Sequence, residues 1–377
     1  MLEYYTQIPI EFKIVAGICI VAFLIQMFYV LMGFSVVRYR LSRRTTFSDE
    51  QPPISIIITT GDNWEFVEKR LPIFLSQDYP NFEIIVVAND CSEDFIDELN
   101  RLASNNDKLK VSLIKRFSNT HSNKLALTVG MKAAQYELML FTTADSYPVS
   151  DQWIKLMAKG FSGKSITLGY CGVKGNIYMR CSQLGVSMRW LIAAVANRTY
   201  RGSVQNIGYT KDTYFESNGF THLRLKYGVD DLFIQKVATK NNVAVILHPA
   251  ATIRQDKTSM SQWRKERTLN SYSFRYYPSR VKVEQAAEFL TRSLLFICWA
   301  ILAAKTIIDK QWILLSIVTL LPIIRMICLL IVTGKFAKRV GERKILWFYP
   351  IYDFISPLSE MALAIGRRIK PSSQLWI

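Results

Sequence analysis

Ile14 to Val37 (IVAGICIVAFLIQMFYVLMGFSVV) runs without a charged residue. As a helix, such a stretch crosses a hydrocarbon core of about 30 Å. A cleaved leader needs a shorter apolar core and a small-residue cleavage site; neither is evident, so the stretch reads as a retained anchor. Gln311 to Thr333 is a second candidate span although it carries Arg325, and Ser293 to Ile308, extended back through Phe289, is a third. Arg292 and Lys305 are expected to snorkel from that third segment toward the two interfaces. Asp309–Lys310 fits a tight link between the last two spans. The competing reading is a buried helical pair of a soluble domain; hydropathy this strong favours the membrane hairpin.

Basic residues orient the chain. Arg38, Arg40, Arg43 and Arg44 follow the first span, Arg275, Arg280 and Lys282 precede the Ser293–Ile308 span, and Lys335, Lys338, Arg339, Arg343 and Lys344 follow the Gln311–Thr333 span. With three spans all three clusters fall on one side, which the positive-inside rule makes cytoplasmic. The expectation is a multi-pass membrane protein, with a cytosolic domain between the first span and the hairpin. Its divisions are an anchor with its basic flank (1–45), the cytosolic domain (46–285), a helical hairpin (286–335) and a basic, amphipathic C-terminal segment (336–377). Ile345 to Gly366 is apolar but interrupted by Pro350, Asp353, Pro357 and Glu360, and fits an interfacial or re-entrant helix better than a fourth span. The net charge of +17 follows from this bias and points to membrane lipids as partners. Nucleic acid is not an expected partner, because the charges flank apolar spans. Six isolated cysteines and three histidines make no zinc pattern.

From Pro53 onward short β-branched runs alternate with helical stretches. Strands are expected over 54–60, 82–90, 110–116 and 137–145, and helices over 93–104, 124–135 and 153–161, with a further helical stretch through Phe66, Leu71 and Leu75. Continuous apolar strands separated by helices imply an α/β fold with a mostly parallel sheet covered on both faces. Asp62, Asp90 and Asp145 each fall at or just past the carboxyl end of a strand, the edge where open α/β sheets bind ligands. Neither G-x-G-x-x-G nor G-x-x-x-x-G-K-[ST] occurs, which gives no support to dinucleotide redox chemistry or P-loop hydrolysis. An acid-lined edge without a glycine cradle can still handle a diphosphate through a divalent cation. Asp230 and Asp231 open a helix over 229–242. Such a pair either caps free amides and favours the helix dipole or supplies an acid/base carboxylate.

These residues together resemble the family 2 glycosyltransferases. LSQDYPNFEIIVVANDCSED (75–94) resembles the family's Q-x-Y-P-x-x-E-x-x-V-x-D-x-S-x-D block, and PPISIIITT resembles its first strand. FTTADSYP (141–148) occupies the place of a D-A-D segment, GVDDLF (228–233) that of an acidic motif, and SQWRKER (261–267) that of a Q-x-x-R-W-type motif. The resemblance runs from about Pro53 to Tyr277, and the flanking spans resemble those of membrane-bound bacterial members. It implies a GT-A-type nucleotide-sugar-binding domain and inverting transfer from a nucleotide-sugar, UDP-linked by expectation, to a lipid-linked or glycan acceptor. It also implies Mg2+ or Mn2+ as cofactor. Residue by residue, it assigns Asp231, or its neighbour Asp230, as general base and Asp145 as metal ligand. Thr59, Asp62, Asp90, Lys124 and Thr143 become nucleotide-binding candidates, with Asn206, Trp263, Arg264 and Arg267 near the acceptor or diphosphate. The chain departs from the pattern at Thr143, where an acid is usual, at Gly61–Asp62–Asn63, where an N-E pair is usual, and in the spacing around Gln262. Those departures also admit an inactive nucleotide-binding or scaffold subunit on the same fold.

Overall fold

The computed structural model describes residues 9–37, 50–114, 123–220, 229–256 and 259–369. The Arg38–Arg44 cluster, the end of the third expected strand (115–116) and Gly228 lie outside the described residues.

In chain order, α1 (Ile10–Ser35) leads to β1 (Ile54–Thr60), then to a π-helical turn (Phe66–Arg70) that continues as α2 (Leu71–Leu75). β2 (Phe82–Asn89), α3 (Glu93–Ser104), β3 (Leu109–Ile114), α4 (Asn123–Ala133) and β4 (Leu138–Thr143) follow the expected alternation. Next come β5 (Ser146–Pro148), α5 (Trp153–Lys159), β6 (Ile166–Gly169), β7 (Cys171–Lys174) and α6 (Ile177–Val195). β8 (Ile207–Thr210), α7 (Lys211–Glu216), α8 (Val229–Val237), β9 (Val243–Ile246), β10 (Ile253–Asp256) and α9 (Met260–Ser271) complete the sheet region. α10 (Ser279–Ile308), α11 (Trp312–Val340) and α12 (Tyr349–Ile369) close the chain.

The main sheet has seven strands in the order β3-β2-β1-β4-β8-β6-β9, and a three-stranded sheet, β5-β10-β7, stands beside it. β1, β2, β3 and β4 are parallel, whereas β8 runs antiparallel to both β4 and β6. The side chains of β1, β2 and β4 are mostly buried on both faces, as parallel strands under helices require, while the edge strand β3 is partly exposed. Gly130 lets α4 ride directly on the sheet: a Cβ there would stand 2.5 Å from Ile57 Cγ2. The run expected as one strand over 137–145 divides at Ala144–Asp145. β4 ends at Thr143 and the chain re-enters as β5 of the second sheet, so Asp145 occupies the crossing between sheets.

Three helices, α1, α10 and α11, are long and apolar enough to cross a membrane. α1 and α10 pack antiparallel, Cys19 and Ala22 meeting Leu295, Cys298 and Leu302. Lys310, with φ 53°, sits in the tight link to α11. The last turns of α11 enter the sheet domain: Phe336, Ala337 and Val340 belong to the same core as Ile57, Phe141 and Leu168. One expectation is corrected here. Arg292 does not snorkel but is buried, because Asp353, Ser356 and Glu360 on α12 supply it with acceptors inside the bundle.

Candidate active site

Asp62, Asp90 and Asp145 follow β1, β2 and β4, three neighbouring parallel strands, so the fold gathers all three at one sheet edge. They are used differently. Asp62 Oδ1 accepts from the backbone N–H (2.9 Å) and the hydroxyl (3.1 Å) of Ser92, tying the end of β1 to the start of α3. Asp90 is exposed and adopts φ 58°, a left-handed conformation that Asp tolerates better than most residues. Thr59 and Thr143 are cross-strand partners in the β1–β4 register and both half-buried. Thr143 donates its hydroxyl to Asp145 Oδ1 at 2.6 Å, and Gln255 on β10 donates its amide to Oδ2 at 2.7 Å. Lys124, in the first turn of α4, is buried, and desolvation lowers its pKa.

The resemblance implies a divalent cation at Asp145. Among the described residues no group of three histidines, cysteines or carboxylates could hold a metal ion. One carboxylate, held by a neutral hydroxyl and a neutral amide, fits a cation whose other ligands are phosphate oxygens and water. It does not fit a preformed site that takes the metal by itself.

The two acids of α8 face different ways. Asp230 Oδ2 accepts from the Val204 N–H at 3.0 Å, and its pKa is pushed up to about 7, by burial first and by Asp231 second. Asp231 is 2 % exposed. Its Oδ2 accepts from Ser273 Oγ at 3.0 Å and from the Tyr277 hydroxyl, and Arg201 Nε lies 3.3 Å from its Oδ1. Burial raises its pKa against the opposing pull of Arg201, Tyr277 and Ser273.

A cavity of about 480 Å³ joins these parts. Gln255, the partner of Asp145, lines one side; Arg201 and Tyr277, the partners of Asp231, line another. Phe289 on α10 and Leu363 and Ala364 on α12 add apolar side chains to the lining. α9 contributes Trp263, Glu266, Arg267 and Ser271, an i, i+3, i+4, i+8 set that lies on one helix face. The Arg267 guanidinium lies over the Trp263 ring, 5.1 Å from its centroid, and donates to the Ser182 hydroxyl. Among the described residues no carboxylate pairs with it, and desolvation lowers its pKa.

Two expected acceptor residues stand elsewhere. Asn206 is completely buried; its Oδ1 accepts from Trp153 Nε1 (3.0 Å) and its Nδ2 donates to the carbonyls of Tyr170 (2.8 Å) and Ala251 (3.0 Å). Every polar group of that side chain is engaged in bracing the two sheets. Arg264 is exposed, one residue round the helix from Trp263 and so about 100° off its face. The sequence reading did not single out Arg189, Arg201, Gln255 or Tyr277. They come from separate helices, loops and a four-residue strand, with no shared spacing to mark them. Glu360 carried a signal: with Asp353 it puts two acids, seven residues apart, on one face of an apolar helix.

Residues 55–180 match the family model described as Glycosyl transferase family 2. The chain is 26 % identical over 138 residues to the GalNAc(5)-diNAcBac-PP-undecaprenol beta-1,3-glucosyltransferase of Campylobacter jejuni subsp. jejuni; the match covers 36 % of this chain and 44 % of that protein. The chain thus spans under half the length of this curated relative. In fold it is similar to the mannosyltransferase PcManGT of Pyrobaculum calidifontis, solved in complex with GDP-Man and Mn2+. That similarity has a TM-score of 0.56 at 16 % identity and covers 92 % of this chain and 99 % of the other.

Proposed function

We propose, for a chain whose residues 55–180 match the Glycosyl transferase family 2 model, a membrane enzyme that transfers a sugar from a nucleoside diphosphate sugar to a lipid-linked acceptor. The reaction takes place at the inner face of a bacterial cytoplasmic membrane, with the catalytic domain cytosolic. One observation carries this reading. A single cavity is lined by partners of Asp145 and of Asp231, by Arg267, which among the described residues forms no ion pair with a carboxylate, and by apolar side chains of α10 and α12. An amphiphile with an anionic head and an apolar tail matches that lining. The lipid-linked substrate named for the Campylobacter relative supports the same choice.

On this reading the donor lies along the carboxyl edge of β1, β2 and β4, over Thr59, Thr143 and Asp90. Asp145 would hold Mg2+ or Mn2+, which when bound would supply positive charge opposite the departing nucleoside diphosphate. The acceptor's anionic group pairs with Arg267, stacked on Trp263. Asp231 is the base: its partners Arg201 and Tyr277 line the cavity, whereas Asp230 accepts from the Val204 N–H, a residue outside that lining. As the acceptor hydroxyl approaches, Tyr277 and Arg201 yield the carboxylate to it. Burial makes Asp231 a stronger proton acceptor than an exposed aspartate, as general-base catalysis needs. Attack from the face opposite the leaving group inverts the anomeric centre in one displacement, with no covalent enzyme intermediate.

The test is a donor panel. Full-length protein in lipid nanodiscs receives Mn2+, a polyprenyl phosphate and UDP- or GDP-linked sugars, and release of nucleoside diphosphate is followed together with the glycosylated lipid. Release that needs both donor and lipid is expected, with a UDP-linked donor preferred. No release from any donor overturns the proposal.

A further inference from the structure

Arg325 stands in the middle of α11 and is 2 % exposed. It donates from Nη1 to Asp353 Oδ2 at 2.5 Å and from Nε to Gln26 Oε1 at 2.9 Å. Gln26, on α1, in turn donates to the Glu288 carbonyl (2.9 Å) and the Thr291 hydroxyl (2.8 Å) of α10. Arg292, one residue further on α10, donates from Nη1 to Ser356 Oγ (2.8 Å) with Asp353 Oδ1 at 3.5 Å, and from Nη2 to Glu360 Oε2 (3.0 Å). The other oxygen of Glu360 accepts from Arg189 Nη2 at 3.1 Å, and Glu360 and Arg189 both line the cavity. One polar chain therefore links all three spans, through Asp353, to the cavity wall.

Its depth matters. α11 ends in the catalytic core, so Trp312, Ile308 and Ile10 mark the remote ends of the spans. At about 1.5 Å per residue, Gln26, Arg292 and Arg325 lie roughly 20–24 Å from those ends, within a hydrocarbon core of about 30 Å. Asp353, Ser356 and Glu360 occupy one face of α12, while Ile351, Phe354, Leu358, Met361 and Ile365 leave the rest of that helix apolar and exposed. Charges so placed are costly unless paired, and apolar side chains of similar volume would hold helices together at least as well. Stability alone does not account for them; fixing a register does.

We propose that Asp353 is a positioning residue for the acceptor. Clamped by Arg325 and Arg292, it sets the height and rotation of α12. That placement puts Leu363 and Ala364 in the cavity lining and lets Glu360 aim Arg189 into the cavity. The inference rests on the acceptor reading given above.

Asp353→Asn, Arg325→Met and the double variant Arg325→Met with Asp353→Leu, each in nanodiscs, test it by two readouts. The first is hydrogen–deuterium exchange. Both single variants are expected to raise exchange over 349–369 and leave β1 and β4 unchanged, and the double variant to return α12 toward wild type. The second is kinetic: the KM for polyprenyl phosphate is expected to rise about tenfold or more in the single variants. kcat and acceptor-independent release of nucleoside diphosphate are expected to stay within about twofold. Unchanged exchange over 349–369 in both single variants overturns the proposal, as does a fall in kcat at constant KM. If wild-type protein processes no donor, the functional reading falls, and the exchange data still decide whether Asp353 holds α12.

Discussion

Gln255 donates to Asp145 Oδ2 at 2.7 Å while also lining the cavity. A single side chain thus connects the strand-end acid to the space in which an acceptor would bind. With Thr143 on the other oxygen, the carboxylate receives a hydroxyl on one side and an amide on the other.

Thr143→Asp places a second carboxylate beside the first. Mn2+ affinity without nucleotide, read from the free-ion electron paramagnetic resonance signal, is expected to rise about tenfold or more, since each added acidic ligand strengthens a hard-cation site. Asp145→Asn in that background is expected to abolish the gain. Retention of the gain would remove Asp145 from the metal site.

Asp231→Asn keeps shape and removes the proton acceptor. Transfer is expected to fall by about 10²–10⁴-fold, the usual contribution of a general base, with donor affinity by calorimetry unchanged. The same loss from Asp230→Asn, with Asp231→Asn still active, would reverse the assignment.

Arg267→Ala is expected to raise the acceptor KM by about 10–100-fold, the cost of a charge-assisted hydrogen bond. Arg264→Ala, on the exposed side of α9, is expected to leave it unchanged. Equal effects from the two would mean that both arginines act through general charge at the membrane surface rather than through the cavity.

Asp230 makes stability depend on pH in a definite direction. Its folded-state pKa of about 7 lies above the unfolded value of about 3.9, so the folded protein binds the extra proton between the two. Stability contributed by this group is complete below about pH 4, declines as pH rises, and is lost above about pH 7. Asp230→Asn is expected to flatten that decline and to gain on the order of 1–2 kcal/mol over wild type at pH 8, measured by thermal unfolding at a series of pH values. A decline of the same steepness in the variant would assign it to another group.

Much of the fold was legible because its signals are local. Apolar length marks α1, α10 and α11, and β-branched runs mark β1 and β2; the α3 helix matches its expected limits, 93–104. β8, the antiparallel strand, was missed: four residues, Ile207–Thr210, give too short a pattern to show direction. At the site, the sequence reading groups Arg264 with Trp263 and Arg267, and only the 3.6-residue turn of α9 in the structure sets it apart on the exposed side. Asn206 misled because a buried amide bracing two sheets and an amide facing a ligand look alike in sequence. Arg292 misled for a related reason: its acceptors lie on α12, more than sixty residues later, and an arginine near the end of a span otherwise turns to water.

α11 begins among exposed apolar side chains and ends as part of the catalytic core, where Phe336 packs edge-on against Tyr170 with ring centroids 6.3 Å apart. Just beyond it, Gly341 takes the left-handed turn (φ 75°) that lets buried Glu342 reach Arg180 and Arg254 at 2.6 and 2.7 Å. A fragment cut before α10 to obtain a soluble enzyme would therefore be more than an untethered one. It would have a hole where Phe336 sat and two arginines stripped of their shared carboxylate. In this protein, solubilising the enzyme by truncation and damaging its interior are the same operation.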